Sequence, residues 1–211
     1  MEKKVSKAVL KRLPGYLAYL KSQQDQEHPY ISATALASAL GMGEVQVRKD
    51  LASVSDGGRP KIGYLRENLI EDIEQFLGYD NTTDAVLIGA GKLGQALLEY
   101  KGFEEYGLNV LAAFDINPAC DHTDDGKPIY HMDQLEQFCR ANKVLMGIIT
   151  VPDKHAQEVC DKLIACGIKA IWNFAPTHLE VPANILVQSE NMATSLAVLS
   201  MHLQAHIKDR K

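Results

Sequence analysis

One stretch restricts the possible folds of this 211-residue chain more than any other: AVLIGAGKLGQALLEY, residues 85–100. A short apolar run passes into Gly89-Ala90-Gly91-Lys92-Leu93-Gly94 and then into a helical pattern. In a G-x-G-x-x-G turn between a strand and a helix, the first glycine permits the tight turn and the second lets the backbone approach a pyrophosphate. The third allows the helix to pack closely on the sheet. Free N–H groups at the helix start then face the phosphates. The next apolar run, LNVLAAFD, ends on Asp115, 21 residues after Gly94. A carboxylate there can accept hydrogen bonds from the adenosine ribose hydroxyls and would repel a 2′-phosphate, which favours NAD(H) over NADP(H).

The same rhythm continues along the chain. Apolar runs AVLIG, LNVLAAFD, KPIY, VLMGIITV, KAIWNF and NILVQ alternate with helical segments near Leu93 to Tyr100, Asp133 to Ala141 and Lys154 to Cys166. That alternation predicts a parallel sheet with helices on its faces. The last segment, ENMATSLAVLSMHLQAHIK, carries Met192, Leu196, Leu199, Leu203 and Ile207 as an apolar stripe. No sheet strand remains for that stripe to cover, so it is expected to pack on a second subunit; packing on its own domain is the alternative.

Eighty-four residues precede the glycine turn, and they read as a separate module. Val5, Val9, Leu13, Leu17 and Leu20 recur at helical spacing around Pro14, which either kinks the helix or starts a second one. The segment ISATALASALGMGEVQVRKDLASV then gives a short helix, a break at Gly41-Met42-Gly43 and a second helix. Two short helices across a glycine turn form the helix-turn-helix pattern. Its second helix has Val45 and Leu51 facing inward, with Val47 as a further apolar member, and Gln46, Arg48 and Lys49 toward the exposed side. The loop SDGGRPKIGY reads as a wing bearing Arg59 and Lys61, and an amphipathic helix spans about Arg66 to Leu77. The expected organisation is a winged-helix domain at 1–78, a Rossmann-type domain at 79–189 and a C-terminal helix at 190–211.

Charge separates the modules. Residues 1–66 hold 11 Lys+Arg and 6 Asp+Glu, net +5, whereas the remaining 145 hold 11 and 21, net −10. The basic half suits nucleic acid although the whole chain is at −5. Arg48 and Lys49 can donate to guanine O6 and N7, and Gln46 can pair with adenine, if their helix enters a major groove. Arg59 and Lys61 would meet phosphates or an adjacent minor groove. No apolar run reaches the length of a membrane span and the N-terminus has no signal-peptide core, so a cytoplasmic protein without membrane contact is expected. Cys120, Cys139, Cys160 and Cys166 have no C-x-x-C or zinc spacing and read as reduced thiols. His202 and His206 alone make an incomplete metal site, and no metal is expected. A small NAD-dependent oxidoreductase is the rival function, with His155 as its nearest proton donor. It lacks a second catalytic-looking group and room for a substrate domain.

The segments KRLPGYLAYL, VQVRKDL, KIGY, GAGKLGQALLEYKGF, FDINP, VPDKHAQEVCDKLIACGIKAIWNFAP and LEVP follow one another over nearly the whole chain. In this order they resemble the Rex family of redox-sensing transcriptional repressors. The resemblance implies a homodimer that binds a palindromic double-stranded operator with winged helices, exchanges its C-terminal helix between subunits and is released by NADH. It implies that Gly89, Ala90, Gly91, Lys92, Leu93 and Gly94 line the pyrophosphate, and that Asp115 and Ile116 hold the adenosine side. Thr150, Val151, Asn173 and Phe174 would lie near the cofactor. Tyr100 matches a tyrosine that takes part in switching near the nicotinamide. Arg12 matches an arginine that joins the DNA-binding part to a carboxylate at the start of the exchanged helix. Three positions depart from the family pattern. Asn191 stands where that acid is expected, with Glu190 beside it; GRPKIGY replaces a G-K-R-G-x-G-Y wing; Lys92 replaces an asparagine, adding positive charge where phosphates are expected.

Overall fold

The structure, a computed structural model, describes residues 5–23 and 28–208. It divides into two compact units, the first ending at Asn81 and the second beginning at Thr82. Part of the polar stretch KSQQDQEHPY lies outside the described residues.

The first unit opens with α1 (Lys7–Ser22), capped by Ser6, whose hydroxyl accepts from the Val9 N–H. Pro14 lies within this one helix, and Leu13, Tyr16, Leu17 and Leu20 form its buried face. The helix-turn-helix pair is α2 (Ala33–Ala39) and α3 (Glu44–Val54). Ser32 caps α2, and Gly41 turns the chain between the helices at φ +64°, a conformation that favours glycine. Two short strands, β1 (Tyr30–Ile31) and β2 (Tyr64–Leu65), pair antiparallel and frame the wing. Helix α4 (Arg66–Leu77) follows and ends on Gly78 in the left-handed region. Leu13, Tyr16, Leu36, Val47, Leu51, Leu69 and Ile73 make the core.

Val45 does not face inward; it is 64% exposed, while Val47 and Leu51 are fully buried. At 3.6 residues per turn, the stripe through Val47, Asp50, Leu51 and Val54 points to the core and Val45 stands nearly opposite.

The second unit is a six-stranded sheet, all of whose pairings are parallel: β3 (Thr83–Ile88), β4 (Leu108–Asp115), β5 (Ile129–His131), β6 (Met146–Ile149), β7 (Ala170–Asn173) and β8 (Leu186–Ser189). The spatial order β5-β4-β3-β6-β7-β8 is that of a doubly wound dinucleotide-binding fold. Side chains alternate across β3, so Val86 and Ile88 enter one core and Ala85 and Leu87 the other. The first core is closed by α6 (Leu135–Asn142) and α7 (Asp153–Ala165) through Leu135, Cys139, Ala156 and Leu163. The second is closed by α5 (Lys92–Leu98) and the 3₁₀ turn Lys101–Tyr106 through Leu98 and Phe103. The final helix, α8 (Met192–Lys208), has no buried residue; Met192, Leu196, Leu199, Leu203 and Ile207 are all exposed.

Candidate dinucleotide crevice and helix-turn-helix face

The carboxyl ends of β3 and β6 lie side by side where the strand order reverses, the position at which such sheets bind ligands. The three glycines there differ in what surrounds them. Gly89 closes β3 at φ +103°, and a Cβ on it would lie 2.9 Å from Val151 Cγ1. A Cβ on Gly94 would lie 1.9 Å from the Gly89 carbonyl oxygen, so only glycine lets α5 sit this close to the strand. A Cβ on Gly91 would meet nothing within 4 Å. The fold of the chain therefore does not demand glycine at 91, which is what a position kept clear for an approaching pyrophosphate requires.

Neighbouring side chains hold this turn. Thr150 Oγ1, just past β6, lies 2.9 Å from the Ile88 carbonyl and 2.8 Å from that of Gly89. Asp115, at the end of β4, accepts from the Ala90 N–H at 2.8 Å through Oδ2 and from the Asn117 N–H at 2.9 Å through Oδ1. Each carboxylate oxygen keeps a further acceptor site. Gln95 Nε2 donates to the Ala90 carbonyl. Asn173 is fully buried at the end of β7, donating to the Ala175 and Thr177 carbonyls and accepting from the Ala175 N–H. Lys92, Leu93 and Ile116 are exposed, and Val151 and Phe174 are half-buried.

Tyr100 follows α5 and is 54% exposed. Its ring meets Phe103 edge-on at 4.9 Å, and Phe103 meets Trp172 at 5.5 Å. The sequence reading missed Trp172, whose Nε1 donates to Glu190 Oε1 at 2.9 Å. Asn191 Oδ1 accepts from the Thr194 N–H at 3.1 Å and so caps the start of α8. His155 is exposed on the first turn of α7.

On α3 the outward face carries Val45, Lys49 and Ala52, flanked on one side by Arg48 and on the other by Gln46. Arg48 pairs with Glu44 one turn earlier. Gln46 is held from behind: with its amide oxygen facing donors, it accepts from Arg12 Nε and Nη1, each at 3.0 Å. Arg12 also makes a two-pronged ion pair with Asp50, Nε to Oδ2 at 2.7 Å and Nη2 to Oδ1 at 2.9 Å. The Tyr16 hydroxyl donates to the same carboxylate at 2.8 Å. Asp50, only 5% exposed at its side chain, is a buried charge that is both paired and hydrogen-bonded, as burial requires. Asp50 raises the Arg12 pKa. Burial, aided by Asp50, pushes the Tyr16 phenol up to about 12. Thus the carboxylate on Arg12 within this chain belongs to α3; 38 residues separate the pair, and no periodicity signals it.

The wing tip is a tight hairpin in which the Arg59 N–H donates to Gly63 O and the Gly63 N–H to Arg59 O, at 2.8 and 2.9 Å. Lys61 at its apex has φ +65°, and Gly63 has φ +97° with its missing Cβ position 2.3 Å from the Ile31 carbonyl. Arg59 and Lys61 are exposed. Among the described residues no three His, Cys, Asp or Glu side chains are grouped to hold a metal ion. None of the described helices is long and apolar enough to cross a membrane. Burial pushes the thiols of Cys139 and Cys160 up to about 11, the direction of unreactive core cysteines.

Similarity to known proteins follows the same division. A family model described as "Putative DNA-binding protein N-terminus" matches residues 4–52, and one described as "CoA binding domain" matches residues 80–177. The chain is 39% identical over 200 residues to the redox-sensing transcriptional repressor Rex of Porphyromonas gingivalis, covering 94% of this chain and 92% of that one. It is 35% identical over 210 residues to the Rex of Clostridium acetobutylicum, covering 99% and 98%. Among solved structures it resembles RSP in complex with beta-NAD+ and operator DNA, with TM-score 0.88, 35% identity and coverage of 98% and 96%. RSP in complex with beta-NADH matches with TM-score 0.82, 35% identity and coverage of 98% and 99%. RSP is described as a Rex-family repressor. With both modules in the same order and near-complete mutual coverage, this chain belongs to the Rex family of redox-sensing transcriptional repressors.

Proposed function

We propose that this chain binds a palindromic operator through α3 and the wing, and that NADH in the glycine crevice releases it. The observation that carries the reading is the presence, in one chain, of a helix-turn-helix with an outward basic face and a strand–glycine turn–helix crevice in which the space over Gly91, the N-cap of α5, is open. Lys49 and Arg48 would reach base edges or phosphates, with exposed Val45 beside them suited to a thymine methyl. Arg59 and Lys61 would follow the backbone. The residues at the crevice fit a dinucleotide, with Gly89 through Gly94 at the pyrophosphate, Asp115 and Ile116 at the adenosine, and Thr150, Val151, Asn173 and Phe174 toward the other end. The dinucleotide supplies no chemistry that is turned over here; it is a ligand whose charge state is read.

Residues 1–78 are assigned to DNA, 79–189 to the dinucleotide and 190–211 to dimerisation through α8. The exposed apolar stripe of α8 supports exchange with a second copy, which matches the two-fold symmetry of a palindrome. NADH differs from NAD+ by a hydride, hence by one positive charge and the pucker of the nicotinamide. A ligand moves a two-state dimer only by its differential affinity for the two states. Passing from mostly bound to mostly released takes on the order of 5 kcal/mol, which two linked crevices can share. Tyr100, which is exposed, is assigned to the switch by its match to the family's switching tyrosine; Arg12 contributes by holding Asp50 and Gln46 of α3.

The test is a titration of the full chain on a labelled palindromic operator at fixed salt, with NADH and NAD+ added separately. Release by NADH but not by NAD+ is expected. Operator binding indifferent to both dinucleotides would overturn the sensor reading, and absence of operator binding would overturn the assignment of α3 and the wing. Tyr100→Phe is expected to leave NADH affinity within about twofold of the parent while blunting release.

A further inference from the structure

Trp172 is the only tryptophan of the chain and lies at the centre of a series of contacts that ends at the root of α8. Its ring meets Phe103 at 5.5 Å and Phe174 at 4.8 Å. An indole has one donor and no acceptor, and when partly buried that donor needs a partner. Here the partner is the Glu190 carboxylate at 2.9 Å, which makes the bond charge-assisted and stronger than a neutral one. Glu190 is in turn tied to the sheet, its N–H donating to the Asn173 carbonyl at 2.8 Å. The next residue, Asn191, caps α8. On the opposite side Phe103 carries the edge of Tyr100 at 4.9 Å.

Tyr100, Phe103, Trp172 and Glu190 therefore form an unbroken path from the exposed tyrosine to the residue at which the sheet ends and α8 begins. We propose that the Trp172–Glu190 hydrogen bond is the positioning element of the switch: it sets the direction in which α8 leaves the sheet according to the state of Tyr100. The inference rests on the proposed release by NADH. A ring displaced at Tyr100 moves Phe103 against the indole, and the indole cannot move without lengthening its single hydrogen bond. Trp172 and Glu190 touch no reacting atom; they act through α8. A purely structural anchor would behave differently, since its loss would lower stability and NADH affinity together without separating binding from release.

The experiment uses the full-length protein and the variants Trp172→Phe, Glu190→Ala, Glu190→Gln and the double variant Trp172→Phe/Glu190→Ala. NADH affinity is followed by the emission of NADH itself, and operator release by the NADH concentration that frees half of a labelled operator. NADH affinity is expected to stay within about twofold throughout. The release concentration should rise about fivefold or more in Trp172→Phe and in Glu190→Ala, the lower end of ordinary coupling between sites. It should rise no further in the double variant, because the two changes break one bond. Glu190→Gln keeps an oxygen for the indole and should release close to the parent. The emission of Trp172 should change with NADH in the parent and in Glu190→Gln, and much less in Glu190→Ala.

Release that simply tracks NADH affinity in the variants, or additive effects in the double variant, would overturn the proposal. Were Trp172→Phe to fold poorly, the comparison of Glu190→Ala with Glu190→Gln decides alone, since neither removes core volume. A parent that binds operator and NADH but shows no release would instead sink the sensor reading itself, and this proposal with it.

Discussion

Of the turns in this chain that use left-handed backbone, the crevice turn and the wing fill that need with different residues. At the crevice the positive φ falls on Gly89, and the turn is locked by Gly94, whose Cβ position is occupied by the Gly89 oxygen. At the wing the positive φ falls on Gly63 and also on Lys61, a residue with a long charged side chain. A left-handed conformation costs an ordinary L-residue roughly 1–2 kcal/mol. The crevice turn thus places its positive φ on glycine alone, whereas the wing turn also places one on a lysine, whose exposed cation stands at the apex at the cost of that strain. A turn whose purpose is its backbone leaves glycines in the sequence; one whose purpose is a side chain need not.

Substitutions at these turns test that contrast. The largest effect is expected from Gly94→Ala, which drives a methyl group into the Gly89 carbonyl and should destabilise the second unit by about 3 kcal/mol or more, measured by urea unfolding. Gly91→Ala is its counterpart: stability should stay within about 0.5 kcal/mol of the parent, while NADH affinity falls tenfold or more, about 1.4 kcal/mol. Unchanged affinity would mean that nothing approaches Gly91. At the wing, Gly63→Ala should cost about 2 kcal/mol through the clash with Ile31 and lose operator binding with NADH affinity intact. Lys61→Gly relieves the strain but removes the charge. Its stability should change by less than about 1 kcal/mol, since glycine's greater freedom when unfolded offsets the relief. The salt dependence of operator binding should become shallower by about one unit of slope, and an unchanged slope would remove Lys61 from the interface.

A further effect lies at high pH. Tyr16 is raised from 10.0 to about 12, so the stability it contributes is complete below pH 10 and is lost as pH climbs toward 12. Cys139 and Cys160, raised from 9.0 to about 11, begin the decline one unit earlier. Tyr16→Phe should remove the later part of the alkaline loss and leave the earlier part. An identical alkaline profile in the two proteins would show that the phenol does not titrate with folding.

The parts of this molecule that were readable in the sequence are those in which a repeat reports a face. Leu69, Ile73, Phe76 and Leu77 marked α4, and the apolar runs gave all six strands of the parallel sheet. Gly89 and Gly94 marked the strand–turn–helix because two backbone requirements, a positive φ and a close helix approach, fall within six residues. Pairings between elements carried no such signal. Arg12 with Asp50 and Trp172 with Glu190 are each set by the packing of two segments, and a lone arginine or tryptophan does not reveal its partner. Val45 was misplaced for a different reason: Val47, Leu51 and Val54 stand at i, i+4 and i+7 on one face, whereas Val45 lies six residues before Leu51 and falls on the other side of the helix, a spacing that the reading of VQVRKDL did not apply.

Helix α8 keeps all seventeen of its residues exposed. Most of a helix's stability in a protein comes from packing its apolar face, so the order of α8 depends on how often it finds a covering surface. On the reading that the cover is another copy of the same chain, stability becomes a second-order quantity and the melting temperature climbs with protein concentration. The abundance of the regulator then joins NADH as a variable: at low copy number the same metabolic state would be read by fewer assembled dimers, and the threshold of the response would shift with expression level.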